Sequence, residues 1–441
     1  MDGETVEKRT MLDRISDLPN SVIDIILSRV PLPVAVRTSI LSRKWRLHWT
    51  RVENLVLDQH FFDEILRGLD ELYPTGYISI VRSILLSHCG PIRKFHLHIP
   101  YFNDPVDVIN LWILVVSRHG VQDLTLDYDE DMGRTVPSSV FQCMELKHLS
   151  LQHVELERSP HNFGKLYSLT SLDLYCHCEE ISGDLVTNII LNCPLLESLS
   201  LIYIRNDATF AINASKLKVL CVTYYQHSDF ILKNTPNLST VSLMSWGAPH
   251  DKKSPGIVDF FGAVPKIENI TLTGTVLEEW GVQDIPKMLS VPLVSQMSLT
   301  VSFWNMCSLP QVRSMLYLIK SLPILQTLDI SMHSPCYPPS PPHDTSDYLK
   351  SQIRRGENKW SLRTVKLAWL VGIELEILLI GMILYCCPVL EKLYLSSDPH
   401  ISSDAELKMM TDISQFHKFH RASAQAEVFF SKSEEQLDGS S

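Results

Sequence analysis

The chain has no Gly-x-x-x-x-Gly-Lys-Ser/Thr loop, no Gly-x-Gly-x-x-Gly turn, no His-Glu-x-x-His helix and no Gly-x-Ser-x-Gly elbow. Their absence removes the common signatures of nucleotide binding, zinc proteolysis and serine hydrolysis. Cys-x-x-Cys is missing too, and the ten cysteines are scattered rather than spaced as in a small secreted domain. Reduced thiols are expected, and with them a nuclear or cytoplasmic location. Cys176 and Cys178 flank His177. On a strand, alternation puts the two thiols on one face and the imidazole on the other, a poor chelate. The opening MDGETVEKRT has no apolar core, so no signal peptide is expected. The longest apolar run, Leu378 to Leu390, is interrupted by Gly381 and Pro388 and is too short for a membrane span. There is no excess of positive charge: 39 basic residues face 50 acidic ones, a net charge of -11. Nucleic acid is therefore not the expected ligand, because phosphate binding needs a concentrated positive surface.

The 441 residues suffice for two or three ordinary domains, or for one small domain and an elongated array. At 45% hydrophobic and 20% charged residues, a large core is expected. No histidine, carboxylate or hydroxyl spacing argues for a triad. His96-x-His98 on a strand reads as two surface-facing side chains, and neither a metal nor a cofactor is expected.

Ile15 to Trp49 reads as three short helices. Asn20 is the expected N-cap of the first, where Val22, Ile23, Ile26, Leu27 and Val30 recur at helical steps. Pro31 ends it, and Pro33 fits the first turn of the second, which carries Val34, Val36 and Ile40. Ser42 is placed to cap the third, with Trp45 and Trp49 one turn apart. About half of this segment is apolar, more than so small a bundle hides. The surplus packs either on the rest of the chain, as a cap, or on a partner. The strip from Ser42 to Arg51, with four basic residues and no acid, reads as a solvated face or as a guide for an acidic partner.

After residue 50 one pattern recurs: apolar-x-x-apolar-x-apolar. It begins at Val52, Ile92, Val121, Leu146, Leu169, Leu196, Leu217, Leu238, Ile267, Val294, Leu325, Leu362 and Leu390. Most steps approximate the roughly 20–29-residue period of leucine-rich repeats. The long step from Val52 to Ile92 is expected to hold an extra helix. Pro194, Pro236, Pro265, Pro292, Pro323 and Pro388 each stand two residues before a first apolar position. Each is read as the point where a return helix stops and a strand begins. Stacked units of this kind bury a continuous core and offer a wide binding surface rather than a catalytic pocket. Asp173, Ser200 and Ser242 exemplify the outward strand positions. Asp127 to Pro137, Ser245 to Gly256 and the proline-rich Ser334 to Ser346 read as loops, the last extended.

From Ser361 the order is strand, turn at Gly372, helix, Pro388, strand, with a helix from Ser403 towards Phe419 and a last strand at Ala426 to Phe430. Glu374 and Glu376 are explained by an exposed helix start. A disordered tail is expected over 432–441.

Three stretches carry a family resemblance. Asp17-Leu18-Pro19, Ile26-Leu27-Ser28-x-Val30 and Arg37-Thr38-Ser39-x-Leu41-Ser42-Arg43-Lys44-Trp45-Arg46 resemble an F-box. Asn110-Leu-Trp112-Ile113, Gly120-Val-Gln-Asp-Leu124-Thr-Leu126 and Pro137-Ser-Ser-Val-Phe141-Gln-Cys143 resemble the leucine-rich repeats of plant F-box proteins. Val154, His177 and Ile204 stand where those repeats usually carry Asn or Cys, so an irregular array is expected. Gly372-x-Glu374-x-Glu376, Pro388-Val389-Leu390-Glu391 and Arg421-Ala422-Ser423 resemble an FBD domain. The resemblance implies an α/β solenoid: an F-box over 11–57, repeats over 58–360 in an irregular horseshoe, and an FBD-like cap over 361–431. It also implies a non-catalytic recognition subunit of a cullin-based ubiquitin ligase, monomeric within the complex and not membrane-bound. The Skp-type adaptor, which links such a subunit to the cullin, would meet Leu18, Pro19, Ile23, Ile26, Leu27, Val30, Pro31, Leu32, Val36, Leu41, Ser42 and Trp45. The repeats would bind an unknown protein substrate. Two other readings fit the same sequence: a receptor of this architecture gated by a small molecule, and an interaction scaffold outside any ligase.

Overall fold

The computed structural model describes residues 15, 18–67, 75–101, 106–129, 134–155, 166–175, 183–204, 210–224, 230–246, 257–282, 297–332, 343–354, 359–414 and 421–432. The chain forms two compact units, Met1–His177 and Cys178–Ser441.

In the first unit, β1 (Asn54–Leu57), β2 (Lys94–Ile99), β3 (Asp123–Tyr128), β4 (His148–Gln152) and β5 (Ser171–Tyr175) form a parallel ladder. The second apolar positions of the pattern, Leu55, Phe95, Leu124, Leu149 and Leu172, are direct partners. The third positions, Leu57, Leu97, Leu126, Leu151 and Leu174, pair in the same way. All ten are buried. Side chains alternate along a strand, so a slip of one residue would turn every leucine outward.

The second unit repeats this with β6 (Ser198–Ile204), β7 (Val219–Tyr224), β8 (Thr240–Ser245), β9 (Asn269–Thr273), β10 (Met297–Trp304), β11 (Leu325–Met332), β12 (Thr364–Leu370), β13 (Lys392–Ser397) and β14 (Glu427–Lys432). These too are parallel. Leu199, Leu220, Val241, Ile270, Leu299, Leu328, Val365, Leu393 and Val428 form one row of partners. The FBD-like block supplies β12 to β14 in this register. The last strand reaches Lys432, two residues past the expected end, and 433–441 lie outside the described residues.

The described prolines sit at the second position of a turn. The first apolar residue donates its N–H to the carbonyl three residues back: Leu196 to Cys193, Leu238 to Thr235, Ile267 to Val264, Leu325 to Leu322 and Leu390 to Cys387, all at 3.0–3.4 Å. Fixed φ suits proline to that position. Helices do end before Pro194, Pro265, Pro323 and Pro388, but the element before Pro236 is a short strand, Phe230–Lys233. Step length explains the difference. The two steps of 21 residues, Leu196 to Leu217 and Leu217 to Leu238, return through Phe210–Asn213 and Phe230–Lys233, paired in parallel. Longer steps return through helices such as Gly183–Leu191, Leu309–Ser321 and Glu374–Cys386. A strand covers about 3.3 Å per residue and a helix about 1.5 Å, so a short return must be extended. The step from Val52 to Ile92 holds two helices, Gln59–Leu66 and Thr75–Ser87.

Other expectations need correction. Part of the proline-rich stretch lies outside the described residues, but a helix begins at His343 and runs to Arg354, burying Leu349. Glu376 is not at an exposed helix start. It is buried and accepts N–H bonds from Val371, Gly372 and Ile373 at 2.7–3.2 Å. Burial pushes its carboxyl up to about 7 against those three donors. Glu374 remains exposed and pairs with Lys350 at 3.0 Å. Cys176, His177 and Cys178 lie outside the described residues.

Helix Gly274–Val282 packs on Leu309–Ser321 through Gly281, where a Cβ would stand 2.2 Å from the Pro310 carbonyl oxygen. Gly281→Ala is expected to lower stability by about 1–3 kcal/mol, read from urea unfolding.

Candidate functional site

The N-terminal segment folds as α1 (Asn20–Leu27), α2 (Leu32–Arg37), a 3-10 turn at Thr38–Ile40 and a 3-10 helix at Trp45–Arg51. Asn20 is the first helical residue rather than the cap; Pro19 holds the cap position in an extended conformation. Pro33 lies in the first turn of α2. The Ser42 hydroxyl accepts from the Trp45 N–H at 3.4 Å, but Ser42 is not the cap: the helix is 3-10, begins at Trp45 and has Lys44 in the cap position. Ile23, Leu27, Ala35, Trp45 and Val52 form the core, with Leu18, Val30 and Trp49 packed against it. Trp45 also donates its indole N–H to the Ile15 carbonyl at 3.2 Å, and Lys44 bonds the Leu18 carbonyl. His48, buried beneath α1, meets Asp24 at 2.7 Å. The basic strip thus ties the chain's entry to its own exit.

This core divides the expected contact residues. Ile23, Leu27, Leu32 and Trp45 are buried and build the segment from inside. Leu18, Val30, Val36 and Ser42 are half-buried, while Pro19, Ile26, Pro31 and Leu41 are exposed. Sequence reasoning missed two further exposed apolar side chains, Ile25 and Leu47, and assigned exposed Val22, Val34 and Ile40 only to helices. Val22, Ile25 and Ile26 lie on the exposed side of α1, turned away from Ile23 and Leu27, and exposed Pro19 precedes the helix. Ile40, 85% exposed, and Leu41 add to the apolar surface after α2. The available signal was α1 itself: five of its eight residues are apolar, so both of its faces had to be.

A polar cleft of about 690 Å³ lies where this segment meets β1, lined by Asp24, His48, Arg51, Glu53, Asn54 and Cys89 among others.

The ladders carry a second surface. Alternate strand residues leave the core as rows of partners. Thr125, Ser150 and Asp173 are one such row. Ser200, Cys221, Ser242, Thr271, Thr300, Asp329, Lys366, Tyr394 and Phe429 are another. Each is at least partly exposed. The second row is uncharged to Thr300, then bears the Asp329–Lys366 pair at 3.6 Å and the Tyr394–Phe429 stack at 5.0 Å.

His98 departs from its expected surface position. It is buried under Phe62, and its Nδ1 meets Asp127 at 3.2 Å, while His153 approaches the other Asp127 oxygen at 3.5 Å. Burial alone would raise the Asp127 carboxyl, but the bonds to His153 and His98 outweigh it and hold the group well below the usual carboxylate range. Among the described residues, no cluster of three or more His, Cys, Asp or Glu side chains is arranged to hold a metal.

A buried helical core with an apolar exterior, beside in-register leucine ladders, defines an F-box joined to leucine-rich repeats. The F-box family model matches residues 15–57, and the model for "FBD-associated F-box protein At5g56370, LRR repeats" matches 109–330. F-box/FBD/LRR-repeat protein At1g13570 of Arabidopsis thaliana is 30% identical over 426 residues, covering 95% of this chain and 98% of the relative. Two further Arabidopsis thaliana proteins of that description match about half of each chain: At2g04230 at 33% over 220 residues and At3g52680 at 34% over 233. The chain belongs to the plant F-box/FBD/LRR-repeat family. The F-box and the repeats together point to a substrate-recognition protein, of a kind that is typically a non-catalytic adaptor.

Trp45→Ala is expected to cost about 3–5 kcal/mol. Ile40→Ala should change stability by less than about 0.5 kcal/mol, both read by chemical unfolding. Asp127 binds its proton less readily folded than unfolded. Its contribution is therefore complete above the ordinary carboxylate range and is lost as pH falls from that range towards the lower folded value. Asp127→Asn should lower stability at neutral pH, and unfolding midpoints of variant and wild type should converge on acidification.

Proposed function

We propose that the protein is the substrate-recognition subunit of a cullin-based ubiquitin ligase, docking on a Skp-type adaptor through its F-box and holding a protein substrate on its repeats. One observation carries the reading. Val22, Ile25, Ile26, Val34, Ile40 and Leu41 stand exposed on a segment that already has a complete core in Ile23, Leu27, Ala35 and Trp45. Apolar surface left outside a finished core calls for a partner. Pro19, Ile26, Pro31 and Leu41 are the contact residues favoured from the expected set, with Leu18, Val30, Val36 and Ser42 at their margin. Ile23, Leu27, Leu32 and Trp45 act by shaping the surface.

The ladders offer rows of mostly neutral side chains with Asp173, one Asp329–Lys366 ion pair and one aromatic stack, suited to binding rather than to bond-making. Ubiquitin transfer would fall to other subunits, and tethering would raise the substrate's effective concentration beside them. A nuclear or cytoplasmic setting fits this role. The small-molecule-gated reading needs a deep polar pocket in the face offered by the repeats; the polar cleft around Asp24, His48 and Arg51 lies beside the F-box instead and does not supply one.

Co-purification with a Skp-type adaptor tests the proposal. Ile40→Asp/Leu41→Asp should reduce recovery by at least about tenfold, since a buried apolar anchor is worth roughly 1.5–3 kcal/mol. Thermal stability should be unchanged. Equal recovery of variant and wild type would sink the docking claim.

A further inference from the structure

Two buried carboxylates share a corner of the second unit. Glu376 is 1% exposed and Asp398 is 3% exposed. Val371, Gly372 and Ile373 join β12 to helix Glu374–Cys386, and Glu376 lies in the first turn of that helix. Its Oε2 alone collects the N–H groups of all three connecting residues. Asp398 directly follows β13, in the turn that leads to helix Ser403–Ser414. Its Oδ1 accepts the His400 N–H at 2.7 Å, and its own N–H bonds the Leu370 carbonyl at 2.9 Å. The end of β12 is thereby tied to the turn that Asp398 opens.

Helix Ser403–Ser414 packs on both halves of this corner. Gly372 has φ of +84°, and a Cβ there would stand 3.0 Å from Cβ of Met409, a buried residue of that helix. The buried Ser397 hydroxyl, at the end of β13, donates to Glu406 of the same helix at 2.9 Å. One contact rests on the turn that Glu376 organises, and the other stands beside Asp398.

The three N–H donors favour the ionised form of Glu376, while burial and the charge of Asp398 oppose it. Cys307, in the turn before helix Leu309–Ser321, is a further titratable group in range, and the Glu376 charge adds to the burial that raises its thiol. Glu374 is exposed and turned to Lys350 at 3.0 Å. The groups that act on Glu376 include no cation. Two buried anions without a cation between them are costly, so Glu376 keeps its proton to higher pH than an ordinary carboxyl does. We propose that this corner is a proton-dependent clasp: with Glu376 protonated, helix Ser403–Ser414 is held firmly over the turn at Gly372, and ionisation of Glu376 against Asp398 loosens it. Glu376 binds its proton more readily with the clasp closed than open. Its contribution is complete below the ordinary carboxylate range and is lost as pH rises from that range to about 7, where it levels off. Acidification therefore tightens the clasp. The helix precedes β14 in the chain, which places the device at the end of the exposed row that carries Tyr394 and Phe429. It operates whether or not the repeats bind a ligase substrate.

Amide hydrogen exchange in the full-length protein tests this, read in helix Ser403–Ser414 at about pH 5 and about pH 7.5. Wild type is compared at each pH with Glu376→Gln and Asp398→Asn, which cancels the intrinsic pH dependence of exchange. Glutamine keeps an oxygen for the three N–H donors and has no carboxyl proton to lose. Relative to Glu376→Gln, wild type should lose protection of this helix by at least about tenfold between the two pH values. Each pH unit inside the window changes the closed-to-open ratio by up to about tenfold. Asp398→Asn removes the opposing charge while keeping an oxygen for the His400 N–H, and should show a smaller loss than wild type. Helix Gly183–Leu191, at the other end of this unit's ladder, should show no such change. A wild type without the loss, a loss of full size in either variant, or an equal loss in helix Gly183–Leu191 would overturn the clasp. If Glu376→Gln does not fold, the comparison with Asp398→Asn decides by the same criterion.

Discussion

The constraint on which everything else depends is strand register. Each ladder strand but the last, Glu427–Lys432, buries at least two apolar residues on one face and presents their neighbours on the other. Leu172 is useful only opposite Leu149, and Leu299 only between Ile270 and Leu328. Because the period is two, register allows no partial error: one step exchanges core and surface along the whole strand. Parallel pairing keeps that choice in step across successive strands. The exposed rows from Thr125 to Asp173 and from Ser200 to Phe429 are therefore a by-product of burying the leucines. Ordered exposed rows arise without any residue being spent on holding them in shape.

The N-terminal segment solves the opposite problem. Three short helical pieces cannot bury many side chains, so its core is minimal and centres on Trp45. That indole fills the space between Ile23, Leu27 and Ala35, and its N–H secures the backbone at Ile15. With the core closed from within, Val22, Ile25, Ile26, Ile40 and Leu41 remain outside. The division of labour is local: on α1, neighbouring apolar residues face opposite ways and serve opposite ends. Burial fixes the shape, and exposure creates the demand for a partner.

How far this was legible from the residues depended on the range of the determining interaction. The ladder strands were readable because their signal is local, apolar residues at fixed offsets, repeated often enough to exclude coincidence. The approach to each strand was readable from proline, but not the turn in which the proline sits. The return elements were only partly so, because the choice between helix and strand before Pro236 depends on the distance to be crossed and not on propensity. The contact residues of the F-box were named as one set, since spacing shows that Ile23 and Ile26 are both apolar but not which one faces inward. Glu376 and His98 lay beyond reach for a different reason. A carboxylate buried beside Asp398 and a histidine clamped by an aspartate on the next strand are set by neighbours distant in sequence.

The central claim is that the exposed apolar face between Pro19 and Leu41, rather than the ladders, receives the adaptor. Amide hydrogen exchange on the full-length protein, with and without a purified Skp-type adaptor, measures this directly. The account predicts slowed exchange in Asn20–Leu27 and Leu32–Arg37 and through the turn at Thr38–Ile40, with the ladder strands from Ser198 to Lys432 unchanged. Unchanged exchange in those helices, or protection confined to the ladder strands, would contradict it.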